Sequence, residues 1–119
     1  MATKSSREAT VLEHIPIQKK RVKVDSVRDL SEGQGREVTV DGQKLALFKV
    51  KGGFFATSNL CLHRGGPLSE GELNDYKVTC PWHGWKYDVR TGAFEIIPTL
   101  KVKAYKVEEK DGHLYVEIE

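Results

Sequence analysis

The chain is expected to fold as a small all-β domain, an antiparallel β-sandwich or barrel, on three observations. Turn dipeptides Asp41-Gly42, Gly52-Gly53 and Asp111-Gly112 stand between segments in which apolar residues alternate with polar ones. No stretch sustains a helical period. The segments follow in order. Arg21 to Val27 sets Val22 and Val24 among charges, and Glu37 to Val40 does the same with Val38 and Val40, so both read as half-buried strands. Asp41-Gly42 turns the chain into Lys44 to Lys51, and Gly52-Gly53 turns it again into Phe54 to Ser58. Lys77 to Cys80 and Trp85 to Val89 form a later hairpin, Arg90-Thr91-Gly92 turns the chain, and Lys101 to Glu108 pairs with His113 to Glu119 across Asp111-Gly112.

A length of 119 residues makes one domain with a modest core and leaves no room for a second, catalytic one. The net charge of +2 is unevenly spread: residues 1 to 24 hold six lysines and arginines against Glu8 and Glu13, so the rest is mildly acidic. We divide the chain into a basic N-terminal extension, 1–20, and a folded domain, 21–119. The basic run is short and lacks interleaved aromatics, so it predicts no nucleic-acid binding and reads as a solvated extension. The first twenty residues show no apolar signal segment, and no apolar run is long enough to span a membrane. The expectation is a cytoplasmic monomer without membrane attachment.

Two short blocks carry the chemistry. Cys61-Leu62-His63 and Cys80-Pro81-Trp82-His83 use both cysteines and two of the four histidines, and sixteen residues separate them. Each block supplies one thiol and one imidazole. A [2Fe-2S] cluster with two thiolates on one iron and two imidazoles on the other takes that set. A mononuclear zinc ion suits the same four donors, although the spacing lacks the close cysteine pair and close histidine pair of zinc fingers. Gly65, Gly66 and Gly84 suit tight loops whose backbone N–H groups approach sulfur closely. His14 and His113 read as ordinary surface or partly packed histidines, and two histidines alone do not make a second iron site.

The run Cys61-Leu62-His63-Arg64-Gly65-Gly66-Pro67-Leu68-Ser69-Glu70-Gly71, followed by Cys80-Pro81-Trp82-His83-Gly84-Trp85-Lys86-Tyr87-Asp88-Val89-Arg90-Thr91-Gly92, closely resembles the Rieske ferredoxins. The likeness extends over about residues 21 to 119 and departs from the common pattern at Leu62, where a proline is frequent. It implies the Rieske iron-sulfur protein fold, with one [2Fe-2S] cluster held between two loops at one tip by Cys61, His63, Cys80 and His83. It also implies an electron-transfer component rather than an enzyme by itself, carrying electrons from a reductase to a terminal oxygenase, that of a ring-hydroxylating dioxygenase. The alternative within the same fold is a small subunit bound permanently to a larger enzyme, as in NAD(P)H-dependent nitrite reductase.

The resemblance further implies which residues surround the cluster. Rieske proteins of cytochrome bc complexes join their loops by a disulfide, and here Gly66 and Trp82 stand at those positions, in keeping with a reducing compartment. Leu62, Gly65, Gly66, Pro67, Trp82 and Trp85 form an apolar collar, with Pro98 on a third loop covering it. Tyr87 matches a position whose hydroxyl reaches a cysteine sulfur. Trp85 stands where high-potential members carry a serine that donates to a cluster sulfide, which places the potential toward the low end of the roughly −150 to +300 mV Rieske span. Trp85→Ser is therefore expected to raise the potential in an EPR-monitored redox titration; an unchanged value would show that the missing hydroxyl does not set it.

Overall fold

The computed structural model describes residues 20–24 and 29–118. Among these residues lie nine strands and one 3-10 helix: β1 (Lys20–Lys23), β2 (Gly35–Val40), β3 (Gln43–Val50), β4 (Gly53–Ser58), the 3-10 helix η1 (Leu68–Glu70), β5 (Glu72–Asn74), β6 (Lys77–Thr79), β7 (Lys86–Asp88), β8 (Ala104–Lys110) and β9 (His113–Ile118). Six strands form one antiparallel sheet in the order β1-β9-β8-β4-β3-β2, and β5-β6-β7 form a second, smaller one. The all-β antiparallel class expected from the turns and alternation is the class observed. No helix among the described residues is long and apolar enough to cross a membrane.

The hairpin turns show why the alternation reads so clearly. Asp41 and Gly42 have φ of 50° and 77°, and Asp111 and Gly112 have 53° and 80°, both residues left-handed, as the two-residue turns matching strand twist require. The turn between β3 and β4 differs from expectation by one residue. It is Lys51-Gly52, at φ 53° and 80°, while Gly53 already belongs to β4. Two backbone N–H groups of this turn, on Lys51 and Gly52, donate to the Glu32 carboxylate, which holds the turn from outside. Three further differences concern short or terminal pieces. Neither η1 nor β5 was legible. Residues 101 to 103 stand outside β8, with only a Lys101–Ala93 bridge. The first strand ends at Lys23, and the 25–27 part of its expected span lies outside the described residues, as do 1–19 of the basic extension.

The strand β3 organises two cores. Leu45, Ala46, Leu47 and Phe48 are all fully buried, so this run is apolar throughout rather than alternating, as a strand covered on both faces must be. One face sends Leu45 and Leu47 against Val24, Val40, Ala56, Leu114, Val116 and Ile118. The other sends Ala46, Phe48 and Val50 against Leu68, Val78, Tyr87, Val89, Phe94, Val102 and the two cysteines. The Cys61 and Cys80 sulfurs thus sit in a core that backs directly onto β3. Leu114→Ala, in the core without cysteines, is expected to cost about 2–5 kcal/mol of stability by denaturant unfolding, since it leaves a cavity among close-packed neighbours. A loss below about 1 kcal/mol would show that this half of the fold repacks freely.

Candidate metal centre

The two cysteine-bearing loops fold into the same turn. In the first, the Cys61 N–H donates to the Gly66 carbonyl at 2.9 Å and the Gly65 N–H returns to the Cys61 carbonyl at 2.8 Å. In the second, the Cys80 N–H donates to the Trp85 carbonyl at 2.7 Å and the Gly84 N–H returns to the Cys80 carbonyl at 3.2 Å. Counted from each cysteine, the partners stand at the same offsets. Gly65 and Gly84, at equivalent places, both adopt left-handed φ, 73° and 77°. In both loops the N–H two residues on points back at the sulfur: His63 N–H to Cys61 Sγ and Trp82 N–H to Cys80 Sγ, each 3.4 Å. The histidines break the equivalence, because His63 follows its cysteine by two residues and His83 by three. His83 itself takes a φ of 73°, in the left-handed region that histidine enters more readily than most side chains.

The loops meet closely because Gly66 has no side chain. A Cβ there would lie 2.8 Å from Cys80 Sγ and 3.1 Å from the Trp82 ring, so glycine is what lets the first loop lie against the second cysteine. Gly66 and Trp82, the positions that correspond to a bridging disulfide in other proteins of this pattern, are therefore neighbours here, joined by packing alone. Cys61 and Cys80 are both free and nearly fully buried. Burial pushes the Cys80 thiol up, the Trp82 N–H pulls it back, and the neighbouring Cys61 sulfur raises it further.

Tyr87 supplies the side-chain donor. Its hydroxyl lies 3.1 Å from Cys61 Sγ and accepts the Leu62 N–H at 3.2 Å; toward a Cys61 thiolate, which has no proton of its own, the phenol is the donor. The ring is completely buried, and that burial, followed by the adjacent Cys61, pushes the phenol well above its ordinary value. Tyr87 therefore stays protonated, and a donor, at any pH the protein meets.

The imidazoles lie together at the surface side. The His63 and His83 rings are 4.9 Å apart at 74°, and His83 is the more exposed. His63 stacks on Trp85 at 4.6 Å and 10°, and Trp85 stacks in turn on Phe94 at 4.3 Å and 12°. Trp85 is thus more than a side chain lacking a hydroxyl: it fixes the plane of His63. Phe94, which anchors the stack, was not among the residues expected from the sequence. It lies just after the Gly92 turn, and only the pairing of Tyr87 with Phe94 brings it beneath Trp85. Pro98 is exposed on the loop from Glu95 to Leu100, and Phe94, just before that loop, packs on Trp85.

The donor set fits a two-iron group better than a single ion. The Nδ1 atom of His63 is buried and has no hydrogen-bond partner, a cost that a bound metal removes. Among the described residues no three His, Cys, Asp or Glu side chains converge on a point that a single ion would occupy. The donors form a thiol pair and an imidazole pair instead, which is the division that a cluster with one thiolate-bound and one imidazole-bound iron asks for. The Rieske [2Fe-2S] domain family matches residues 20–106. The chain belongs to the Rieske family. Its cofactor is a Rieske-type [2Fe-2S] cluster.

The likeness extends to whole proteins. The ferredoxin component of the naphthalene 1,2-dioxygenase system of Pseudomonas putida is 34% identical over 100 residues, spanning 83% of this chain and 96% of that one. A ferredoxin solved in complex with the reduced oxygenase of carbazole 1,9a-dioxygenase is 36% identical, with a TM-score of 0.72 over 80% of this chain and 99% of its own. A structure described as a putative NADH-dependent nitrite reductase small subunit from Mycobacterium tuberculosis shares the fold, with a TM-score of 0.78 over 86% of this chain and 97% of its own, at 22% identity. In this Rieske domain, Tyr87→Phe removes one donor to a sulfur that gains negative charge on reduction. The potential is expected to fall by on the order of 50 mV, since only the strengthening of the bond on reduction counts, about 1 kcal/mol, and a tenfold change of about 1.4 kcal/mol corresponds to 59 mV for one electron. Titration followed by EPR checks this, and a potential at or above the wild-type value would remove Tyr87 from the redox balance.

Proposed function

We propose that this protein is a one-electron carrier that receives an electron from a reductase and delivers it to the terminal oxygenase of a ring-hydroxylating dioxygenase system. Cys61 and Cys80 hold one iron of the cluster as thiolates, and His63 and His83 hold the other as neutral imidazoles. The observation that carries this reading is the near-complete span of the relatives by the match: it covers 96% of one ferredoxin component and 99% of another. When bound, the cluster supplies a single-electron couple whose potential is raised by the imidazole ligands.

The chain's own residues do the remainder. The His63 and Trp82 N–H groups and the Tyr87 hydroxyl lie on the two sulfurs and stabilise negative charge there. Gly66, Gly84 and Trp82 let the loops close over the thiols, and Trp85 holds His63 in plane. Leu62 and Trp82, in the two cysteine-bearing loops, are each about half exposed, and Ile96, Ile97 and Leu100 are exposed on the loop that carries Pro98. Exposed apolar side chains on loops beside a redox site suit docking with another protein.

The domain runs from 21 to 119, a reading supported by β9, which pairs with both β1 and β8 and cannot be detached from the sheet. Residues 1–20 form a basic extension to it. A cytoplasmic location is in keeping with two free cysteines, since disulfides are rare in cytosolic proteins.

The test is the purified protein, reduced with dithionite, examined by EPR beside an iron, sulfide and zinc assay. The expected result is a rhombic signal with about two irons and two sulfides per chain, abolished by Cys61→Ala or Cys80→Ala and lost or sharply altered by His63→Ala or His83→Ala. One zinc per chain and no signal would overturn the cluster and with it the carrier reading. Stoichiometric copurification with a large reductase chain from the native host would replace the mobile carrier with a permanent subunit.

A further inference from the structure

The two ligand loops have the same internal turn but are closed by different means. The second is the tip of the hairpin between β6 and β7, and the Thr79–Lys86 pair of that ladder closes it. The first leaves β4 and returns at η1, two elements that do not pair as strands. Between them stands a single Leu60–Pro67 bridge. A loop of this kind needs another tie if its ends are to stay together.

Asn59 supplies it. The residue is 1% exposed and sits at the start of the loop, immediately after β4. All of its polar groups are engaged. Its N–H donates to the Lys44 carbonyl of β3 at 2.9 Å, and its carbonyl accepts the Leu68 N–H at 3.0 Å. Its side-chain oxygen accepts the Ser69 N–H at 2.6 Å, and its side-chain nitrogen donates to Glu37 Oε2 of β2 at 2.8 Å. One buried amide thus joins the start of the loop to its end, through Leu68 and Ser69, and joins both to the large sheet. The far end has a fixed seat as well. The position of a Cβ on Gly35 would lie 2.8 Å from both the Phe48 ring and the Ser69 carbonyl, so η1 is packed hard against β2 and β3.

We propose that Asn59, held by Glu37, is a positioning residue that keeps the first ligand loop in the shape that receives the cluster and so sets how long a bound cluster is retained. The inference rests on Cys61 and His63 being ligands. It adds that their loop is shaped by a side-chain amide rather than by a strand ladder. An asparagine that merely satisfies its own buried polar groups would contribute to stability alone. A positioning residue governs the release of iron from one loop.

The direction of the Asn59–Glu37 bond makes the two roles separable. N59D keeps the acceptor for the Ser69 N–H but places a second carboxylate against Glu37 where a donor had been. E37Q keeps an acceptor for the amide of Asn59. The double variant N59D/E37Q reverses donor and acceptor along the same bond and restores it. The measurement is the rate at which the visible absorbance of the loaded protein decays in excess iron chelator, with EPR of each variant and thermal unfolding alongside. N59D is expected to lose the cluster about tenfold faster than wild type, the scale of one unsatisfied buried polar group. E37Q is expected within about twofold, and the double variant within about threefold. The EPR signal of loaded protein stays unchanged in all three. Leu114→Ala, destabilised in the other core, should lower the unfolding temperature without the tenfold loss.

Cluster retention in N59D at the wild-type rate overturns the proposal, as does a double variant that is no better than N59D, or a Leu114→Ala protein that releases iron as fast. If N59D does not fold, the double variant decides: recovery of folding and retention supports the role, and failure of both overturns it. A wild-type protein without iron and sulfide would instead overturn the ligand assignment itself, and this inference with it.

Discussion

Two thiols buried side by side are the constraint on which the rest of this structure depends. Cys61 and Cys80 are 3% and 1% exposed, and a pair of thiolates so placed is prohibitively costly without positive charge and hydrogen-bond donors to meet them. The surroundings answer that requirement in the same way twice. Each cysteine opens a turn whose next-but-one N–H returns to its sulfur and whose fifth residue is a left-handed glycine. Tyr87 adds a hydroxyl to one sulfur only, which makes the two loops chemically unequal although their backbones match.

The fold delivers those turns from unlike elements. One is a hairpin tip in the three-stranded sheet, carried on a short ladder of its own. The other is a long connection from β4 to η1 and borrows its rigidity from the large sheet. What keeps them in register is the shared core. Phe48 and Val50 of β3 pack in the same cluster as both cysteines, Val78 of β6, and Tyr87 of β7, so a displacement of either sheet would move a sulfur. The opposite face of β3 packs in a separate core, and this half of the molecule supports the site without touching it.

The chemistry was legible in the sequence wherever it was local. Each donor block lies within four residues, and the hairpin turns rest on dipeptides whose backbone conformations are nearly unique to them. What escaped depends on distant partners or on breaking a local preference. The turn after β3 falls on Lys51 because Gly52 and the Glu32 carboxylate hold a lysine left-handed, which no propensity suggests. The segment from Leu68 to Asn74 alternates weakly and carries two glutamates, so η1 and β5 exist by packing on β2, β3 and β6 rather than by pattern. The stack of His63, Trp85 and Phe94 spans 31 residues of chain and becomes visible only when β7 is bridged to Phe94. Asn59 reads in sequence as a polar residue at a loop boundary, and its burial gives no local sign.

Trp85 joins these strands of the argument, because two of its effects on the cluster act in the same sense. The position lacks the hydroxyl that the resemblance associates with high-potential members. Its ring also lies flat on His63 and is itself backed by Phe94, which keeps water from that side of the imidazole. With neutral imidazoles the oxidised centre carries no formal charge and the reduced one carries a unit of negative charge, and a drier site disfavours the charged state. Absence of a donor and exclusion of water therefore both lower the electron affinity. The opposing contributions come from Tyr87 and the two backbone N–H groups on the sulfurs, all on the thiolate side of the site. The potential of a cluster held by these four residues would accordingly be a contest between the two ends of the site: donors on the cysteine end would raise it, and an aromatic wall on the histidine end would lower it.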